Sequence, residues 1–186
     1  MRKIIAAINM TIDGYCDHTS GIGGDDILQH YTELLTNADA IIYGRITYQL
    51  MEYWPTVVKN PSPNQAMNKF ARTIDNINKI VFSHTLKTLE WKNSRLAKQD
   101  LTKEITELKQ SGKSETKDIL IGSPGMIVAA TNLNLIDEYQ LCVHPVIAGS
   151  GLPLFKNINN SKRLTLLKTK TLIGGAIVLY YKPPKN

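Results

Sequence analysis

Cysteine is scarce in this chain. There are two, Cys16 and Cys142, neither in a C-x-x-C pair nor beside a histidine cluster. That argues against a disulfide framework and against a metal site. Cys142 lies inside the run YQLCV, where a thiol serves as a small apolar core residue, and this usage suits the cytoplasm. Long apolar runs are also missing. The N-terminal MRKIIAAINMTIDGY has basic residues before an apolar run, but the run is short, Asn9 and Asp13 interrupt it, and no small-residue cleavage site follows. It reads as a buried strand rather than a signal peptide, and nothing approaches a membrane-spanning length. Internal repeats and low-complexity tracts are absent. Blocks of like charge are absent too, although Lys plus Arg number 22 against 16 acidic residues, a net charge of +6. That excess favours an anionic partner. Its dispersion argues against a nucleic-acid groove, which needs clustered basic residues with aromatics on one face.

What is present fits one domain over residues 1–186, with 42% hydrophobic and 20% charged residues. A chain of this length buries roughly 70% of its unfolded surface without metals or disulfides. Ile4–Ile8, Ala38–Tyr43, Lys79–Ser83 and Asp118–Ile121 are short apolar runs of the kind that form strands covered on both faces. Helical spacing recurs at Ile27, Leu28, Tyr31, Leu34 and Leu35 behind the acidic pair Asp25–Asp26. Shorter helices are expected at Thr47–Glu52, Gln65–Arg72 and around Leu101, Ile105 and Leu108, the last stopped by Ser111–Gly112. A further helix runs from Gly125 to Asn132. Pro55–Pro63 is expected to be a loop, and Leu89–Leu96 is left between strand and loop. Asp137–Ile147 reads as a longer strand, and Leu164–Lys170 with Ala176–Tyr181 as an antiparallel hairpin about Gly174–Gly175. Strands alternating with helices through the first two-thirds predict a mainly parallel sheet, with an antiparallel ending.

Two strand ends carry anion-binding chemistry. In AIIYGRITY a buried strand ends at Gly44, and Arg45 and Thr47 fall in the first turn of the next helix. Free N–H groups there favour an anion, Arg45 adds a forked cation and Thr47 a hydroxyl. A tight turn with a surface arginine explains the tetrapeptide equally well. In ILIGSPGM the strand passes through Gly122 and Ser123 to Pro124, which suits a first helical position, and the N–H groups of Ser123, Gly125 and Met126 suit a pyrophosphate. A plain turn competes here too. Neither this segment nor Gly21-x-Gly23-Gly24 is G-x-G-x-x-G, so a typical Rossmann site is weakly supported. A third strand ends in Ser83–His84 and points the same way if its strand is parallel.

The spacing of IIYGRITYQLM, KIVFSH and ILIGSPGM resembles the dihydrofolate reductase superfamily. The segment DEYQLCVHPVIAGSGLPLF, together with Asp13–Gly14 after the first strand, resembles the RibD C-terminal family, the reductase of riboflavin biosynthesis. The resemblance implies a dihydrofolate reductase-like α/β fold: a central mostly parallel sheet flanked by helices, with an antiparallel C-terminal hairpin, often as a homodimer. It implies NADPH as cofactor. Gly44, Arg45 and Thr47, with Ser83 nearby, match the 2′-phosphate side; Gly122, Ser123, Pro124, Gly125 and Met126 match the pyrophosphate turn; Ala7 matches the position facing the nicotinamide. Hydride would pass to a small acceptor, most closely 5-amino-6-(5-phosphoribosylamino)uracil. Dihydrofolate reduction and nucleotide binding without turnover are the alternatives. Asn9, Asp26 and His144 are candidate substrate contacts, and Asp13 is the candidate catalytic residue, although Asp-Gly is also a common turn. The Pro-Trp found before the first helix of many folate reductases is replaced by Cys16-Asp17-His18-Thr19, and no H-x-E…P-C-x-x-C deaminase signature accompanies the reductase segment.

Overall fold

The first strand sets the layering. Its apolar residues point alternately to opposite faces, and both faces are covered. Ile5 and Ala7 join a core with Leu35, Phe70 and Ile74. Ile4, Ala6 and Ile8 join another with Leu101, Ile105, Ile127 and Ala130. The computed structural model describes residues 2–111 and 117–184. Along the chain run β1 (Ile4–Thr11), α1 (Asp25–Thr36), β2 (Ala38–Gly44), α2 (Arg45–Met51), α3 (Tyr53–Lys59), α4 (Gln65–Asn76), β3 (Asn78–Phe82), β4 (Ser94–Leu96), α5 (Leu101–Ser111), β5 (Asp118–Ile121), α6 (Pro124–Asn132), β6 (Glu138–His144), β7 (Thr165–Thr171) and β8 (Ile177–Lys182).

The strands form one sheet in the order β4-β3-β2-β5-β1-β6-β8-β7. β1 to β6 pair in parallel; β8 is antiparallel to β6, and β7 to β8. This is the mostly parallel sheet with an antiparallel C-terminal hairpin that the sequence leads one to expect. The chain steps outward from β1 to β2 and β3, then returns through β5 to β6. Right-handed crossovers in the two directions place α1 and α4 on one face, α5 and α6 on the other. The reversal occurs around β1 and β5, and open α/β sheets bind ligands beyond the carboxyl ends of strands at such a point. No helix among the described residues is long and apolar enough to cross a membrane.

Several local expectations change. Much of the Pro55–Pro63 segment is helical, as the end of α3. Pro55 is the third residue of α3, in the first turn, where a backbone N–H has no intrahelical acceptor and its loss costs nothing. Trp54 holds this helix against Phe70 of α4, with ring centroids 4.5 Å apart. α2 begins at Arg45, two residues earlier than expected, and α4 continues past Arg72 because Ile74 is buried beneath it. The undecided Leu89–Leu96 segment ends in β4, a short parallel strand at the sheet edge. Gly112, the expected stop of α5, lies outside the described residues.

Candidate active site

Two glycine turns meet at the carboxyl edge of the sheet. β2 and β5 are neighbours in register, Ile42 opposite Ile121, so the turns that follow them lie side by side. They are tied together: the Gly44 N–H donates to the buried Ser123 hydroxyl at 2.8 Å. Gly122 sits in close approach to β2: a Cβ there would stand 3.1 Å from Cε1 of Tyr43, which would have to shift by a few tenths of an ångström. Gly125 is exposed and faces open space, with nothing within 4 Å of its would-be Cβ. The first i→i−4 bond of α6 runs from Ile127 N to Ser123 O, which leaves the N–H groups of Gly125 and Met126 without intrahelical acceptors. Met126 leans back under Gly44, where a Cβ would lie 3.7 Å from its Cγ.

Arg45 follows immediately and is exposed. One guanidinium nitrogen donates to Gln49 Oε1 at 3.0 Å, and among the described residues no carboxylate pairs with it. The rest of its donor fork is available to an anion. Thr47 sits in the same helical turn, half-buried. On the next strand Gly44 is opposite Phe82, so Ser83 emerges beside Arg45. The Ser83 hydroxyl oxygen accepts from the N–H groups of Thr85 and Leu86 at 3.1 and 2.9 Å, capping the turn after β3.

The second cluster lies one strand away, at the end of β1. Ala7 is buried and Asn9, two residues on, shares its face. His144 at the end of β6 is opposite Thr11 and buried. The imidazole Nε2 is 2.9 Å from Asn9 Oδ1, and its Nδ1 accepts from the Ile22 N–H at 3.1 Å. Gly21 lies flat on the ring: a Cβ there would stand 3.2 Å from Cε1 and Nε2. Burial pushes the His144 pKa below its ordinary value, against the pull of Asp26. The Tyr31 hydroxyl, from α1, donates to the same Asn9 oxygen at 3.1 Å.

Asp26 caps rather than reaches outward. Its oxygens accept from the N–H groups of Gly174 at 2.9 Å and Ile27 at 3.0 Å, and the Gly174 bond heads the causes that hold its carboxyl below the usual range. The arrangement fastens the β7–β8 hairpin to the start of α1. Asp13 has a similar office. It accepts from the Thr11 hydroxyl at 2.6 Å and from the N–H groups of Ala148 and Gly149 at 3.1 and 2.7 Å. The Thr11 bond, then Gly149, bring its pKa down to about 2. Asp13 therefore stays ionised at neutral pH and pins the Ala148–Leu152 loop beside β1. Among the described residues no group of three His, Cys, Asp or Glu side chains is placed to hold a metal.

Sequence reasoning brought the two glycine turns and Ser83 to one edge, and Asn9, His144 and Asp13 to the next strand ends. It missed Tyr31, which looked like one more residue of an apolar helix stripe, and Gly21–Ile22, which looked like plain loop. The only sequence signal was the hydroxyl on Tyr31, a polar tip that needs a partner when buried.

Comparison with known proteins identifies the family and the fold. The family model of the RibD C-terminal domain matches residues 2–178. The uncharacterised protein YyaP of Bacillus subtilis is 30% identical over 185 residues, covering 97% of this chain and 94% of its own. The crystal structure of a protein assigned to riboflavin biosynthesis from Shewanella sp. PV-4 has a TM-score of 0.76 at 18% identity, covering 98% of this chain and 99% of that one. A pyrimidine reductase-like protein from Corynebacterium diphtheriae has a TM-score of 0.66 at 16% identity, covering 100% of this chain and 93% of that one. At such identities these two structures share the fold.

Proposed function

We propose that this chain, which belongs to the RibD C-terminal domain family, is an NADPH-dependent reductase acting on a ribosylamino-pyrimidine, most closely 5-amino-6-(5-phosphoribosylamino)uracil. The observation that carries the reading is the pair of turns joined by Gly44 and Ser123, with Arg45 and the open side of Gly125 next to them. The donor set fits the cofactor. Arg45, Thr47 and Ser83 surround the place of a ribose 2′-phosphate, and the free N–H groups of Gly125 and Met126 suit a pyrophosphate. Bound NADPH supplies the hydride. The chain's own residues bind, orient and exclude water. Ala7, whose side chain is buried in the core, offers its backbone at the position beside β1 where the nicotinamide would lie. Asn9 meets the acceptor, while Asp13 holds Ala148 and Gly149 at the rim. Held ionised, Asp13 does not donate a proton at neutral pH; water at the mouth of the site supplies it. The protein works in the cytoplasm as a homodimer, joined through the exposed outer strand β7.

The test is a titration with NADPH and NADH, followed by cofactor fluorescence, beside an Arg45→Ala variant. Wild type is expected to prefer NADPH, and the variant to lose roughly 10- to 100-fold of that preference, the worth of a charge-assisted contact to phosphate. Turnover is then sought with the ribosylamino-pyrimidine and with dihydrofolate. Failure to bind either nucleotide would sink the reading.

A further inference from the structure

Asn9 lies near the carboxyl end of β1 with an exposed side chain, and its neighbours fix which way the amide faces. The constraint begins at Ile22. A backbone N–H only donates, so the His144 Nδ1 that receives it at 3.1 Å carries no proton. A neutral imidazole then holds its proton on Nε2. Burial keeps the ring neutral. Nε2–H therefore donates, and the Asn9 atom 2.9 Å away is the carbonyl oxygen, not the amide nitrogen. The Tyr31 hydroxyl gives that oxygen a second donor at 3.1 Å. With its acceptor engaged twice, the amide turns its NH2 group outward. Among the described residues Nδ2 has no hydrogen-bond partner, and it lies at the strand end where the chain reverses direction across the sheet.

We infer that Asn9 is a donor-only specificity residue: the substrate group seated against it is a hydrogen-bond acceptor, such as a ring carbonyl oxygen, and an amino group in the same place is refused. The inference rests on the reductase reading and adds to it the polarity of one substrate edge. His144 is a positioning residue, acting through Asn9. The refusal has a physical basis. An NH2 group facing another NH2 leaves two donors without an acceptor, and a site built around a hydrogen bond discriminates strongly against a partner that cannot complete it. Rotating the amide does not rescue the contact, because its nitrogen would then face the fixed Nε2–H donor of His144.

The test uses two matched probes, 5,6-diaminouracil and 2,4,5,6-tetraaminopyrimidine, which carry carbonyls and amino groups at the same ring positions. Both are titrated into 15N-labelled protein saturated with NADP+, whose binding is measured first by itself. The expected spectrum shows His144 as the Nε2–H tautomer. The dione should bind roughly 10- to 100-fold more tightly than the tetraamine and shift the Asn9 side-chain NH2 resonances. In Asn9→Asp the outward group becomes an acceptor, and the preference should invert. An Nδ1–H tautomer, equal affinities, no response of the Asn9 NH2, or an unchanged preference in Asn9→Asp would each overturn the inference. If NADP+ binds and the probes are not discriminated, the inference alone falls. If NADP+ does not bind, the reductase reading falls as well.

Discussion

The N–H of Gly44 and the hydroxyl of Ser123 meet at 2.8 Å across 79 residues of sequence, and through them the two glycine turns form one rigid edge. This bond uses the Gly44 donor inside the protein, so glycine at that position contributes closeness to Met126 rather than a contact of its own. Ser123→Ala leaves the half-buried Gly44 N–H without its acceptor, which costs about 1 kcal/mol. Two measurements are expected to move together: urea stability falls by about that amount, and NADPH affinity falls several-fold. A loss of stability with unchanged affinity would separate the turns' rigidity from cofactor binding.

Asp13 is predicted to position a loop. Asp13→Asn keeps one oxygen for the backbone and loses the ionised acceptor that Thr11, Gly149 and Ala148 share. Amide exchange at Ala148 and Gly149 is expected to speed up, and substrate KM to rise more than cofactor Kd. The pH dependence follows from the depressed pKa. The folded carboxyl titrates near 2 and the free one near 3.8, so its stabilising effect is complete above about pH 4 and is lost as pH falls toward 2. A kcat profile with an acid limb between pH 5 and 8 that vanishes in Asp13→Asn would contradict this role.

Much of this arrangement was legible in the sequence, for local reasons. The unbroken IIAAI and AIIYG runs announce strands covered on both faces, and the Gly and Ser-Pro punctuation announces where those strands hand over to helices. α3 was not legible because proline reads as a breaker unless its place in the first turn is known. β4 was not legible because three residues carry no period. Its position depends on Trp91, whose indole N–H donates to Asp75 at 2.8 Å, a contact supplied by α4. The tautomer of His144 was beyond reach for the same reason, since it follows from Ile22, 122 residues away.

The outer edge offers a prediction about assembly. β7 is exposed along its whole length and carries Leu166 and Leu167; Ile177 of β8 is also exposed. Lys168 lies over the Tyr180 ring and Lys170 pairs with Glu33, so both lysines are turned toward the α1 face. Leu166 pairs with Tyr181 and shares the opposite face with Ile177, which leaves an apolar strip on an open strand edge. Leu166→Lys is expected to shift a dimer to monomer at micromolar concentration in sedimentation experiments, with little change in the folded spectrum. A wild-type protein that is monomeric at high concentration would rule out the homodimer.

Lys79 gives the clearest test of the core. It is fully buried, its ammonium donates to the carbonyls of Ile77, Asp75 and Lys92 at 2.9, 3.2 and 3.3 Å, and it stands 4.2 Å from the centre of the Trp91 ring. Burial lowers its pKa from 10.5 to about 8, with the Asp75 carboxylate resisting and Lys92 assisting. Between pH 8 and 10.5 the unfolded chain therefore holds a proton that the folded chain has released. More protons on the unfolded state means stability that rises with pH. Relative to Lys79→Met, which cancels the titrations not coupled to Lys79, wild type is expected to gain about 2 kcal/mol between pH 7.5 and 9.5 in urea unfolding. A constant difference across that window would mean that the three carbonyls and the indole ring repay the desolvation of the ammonium in full, and that Lys79 stays charged in the fold.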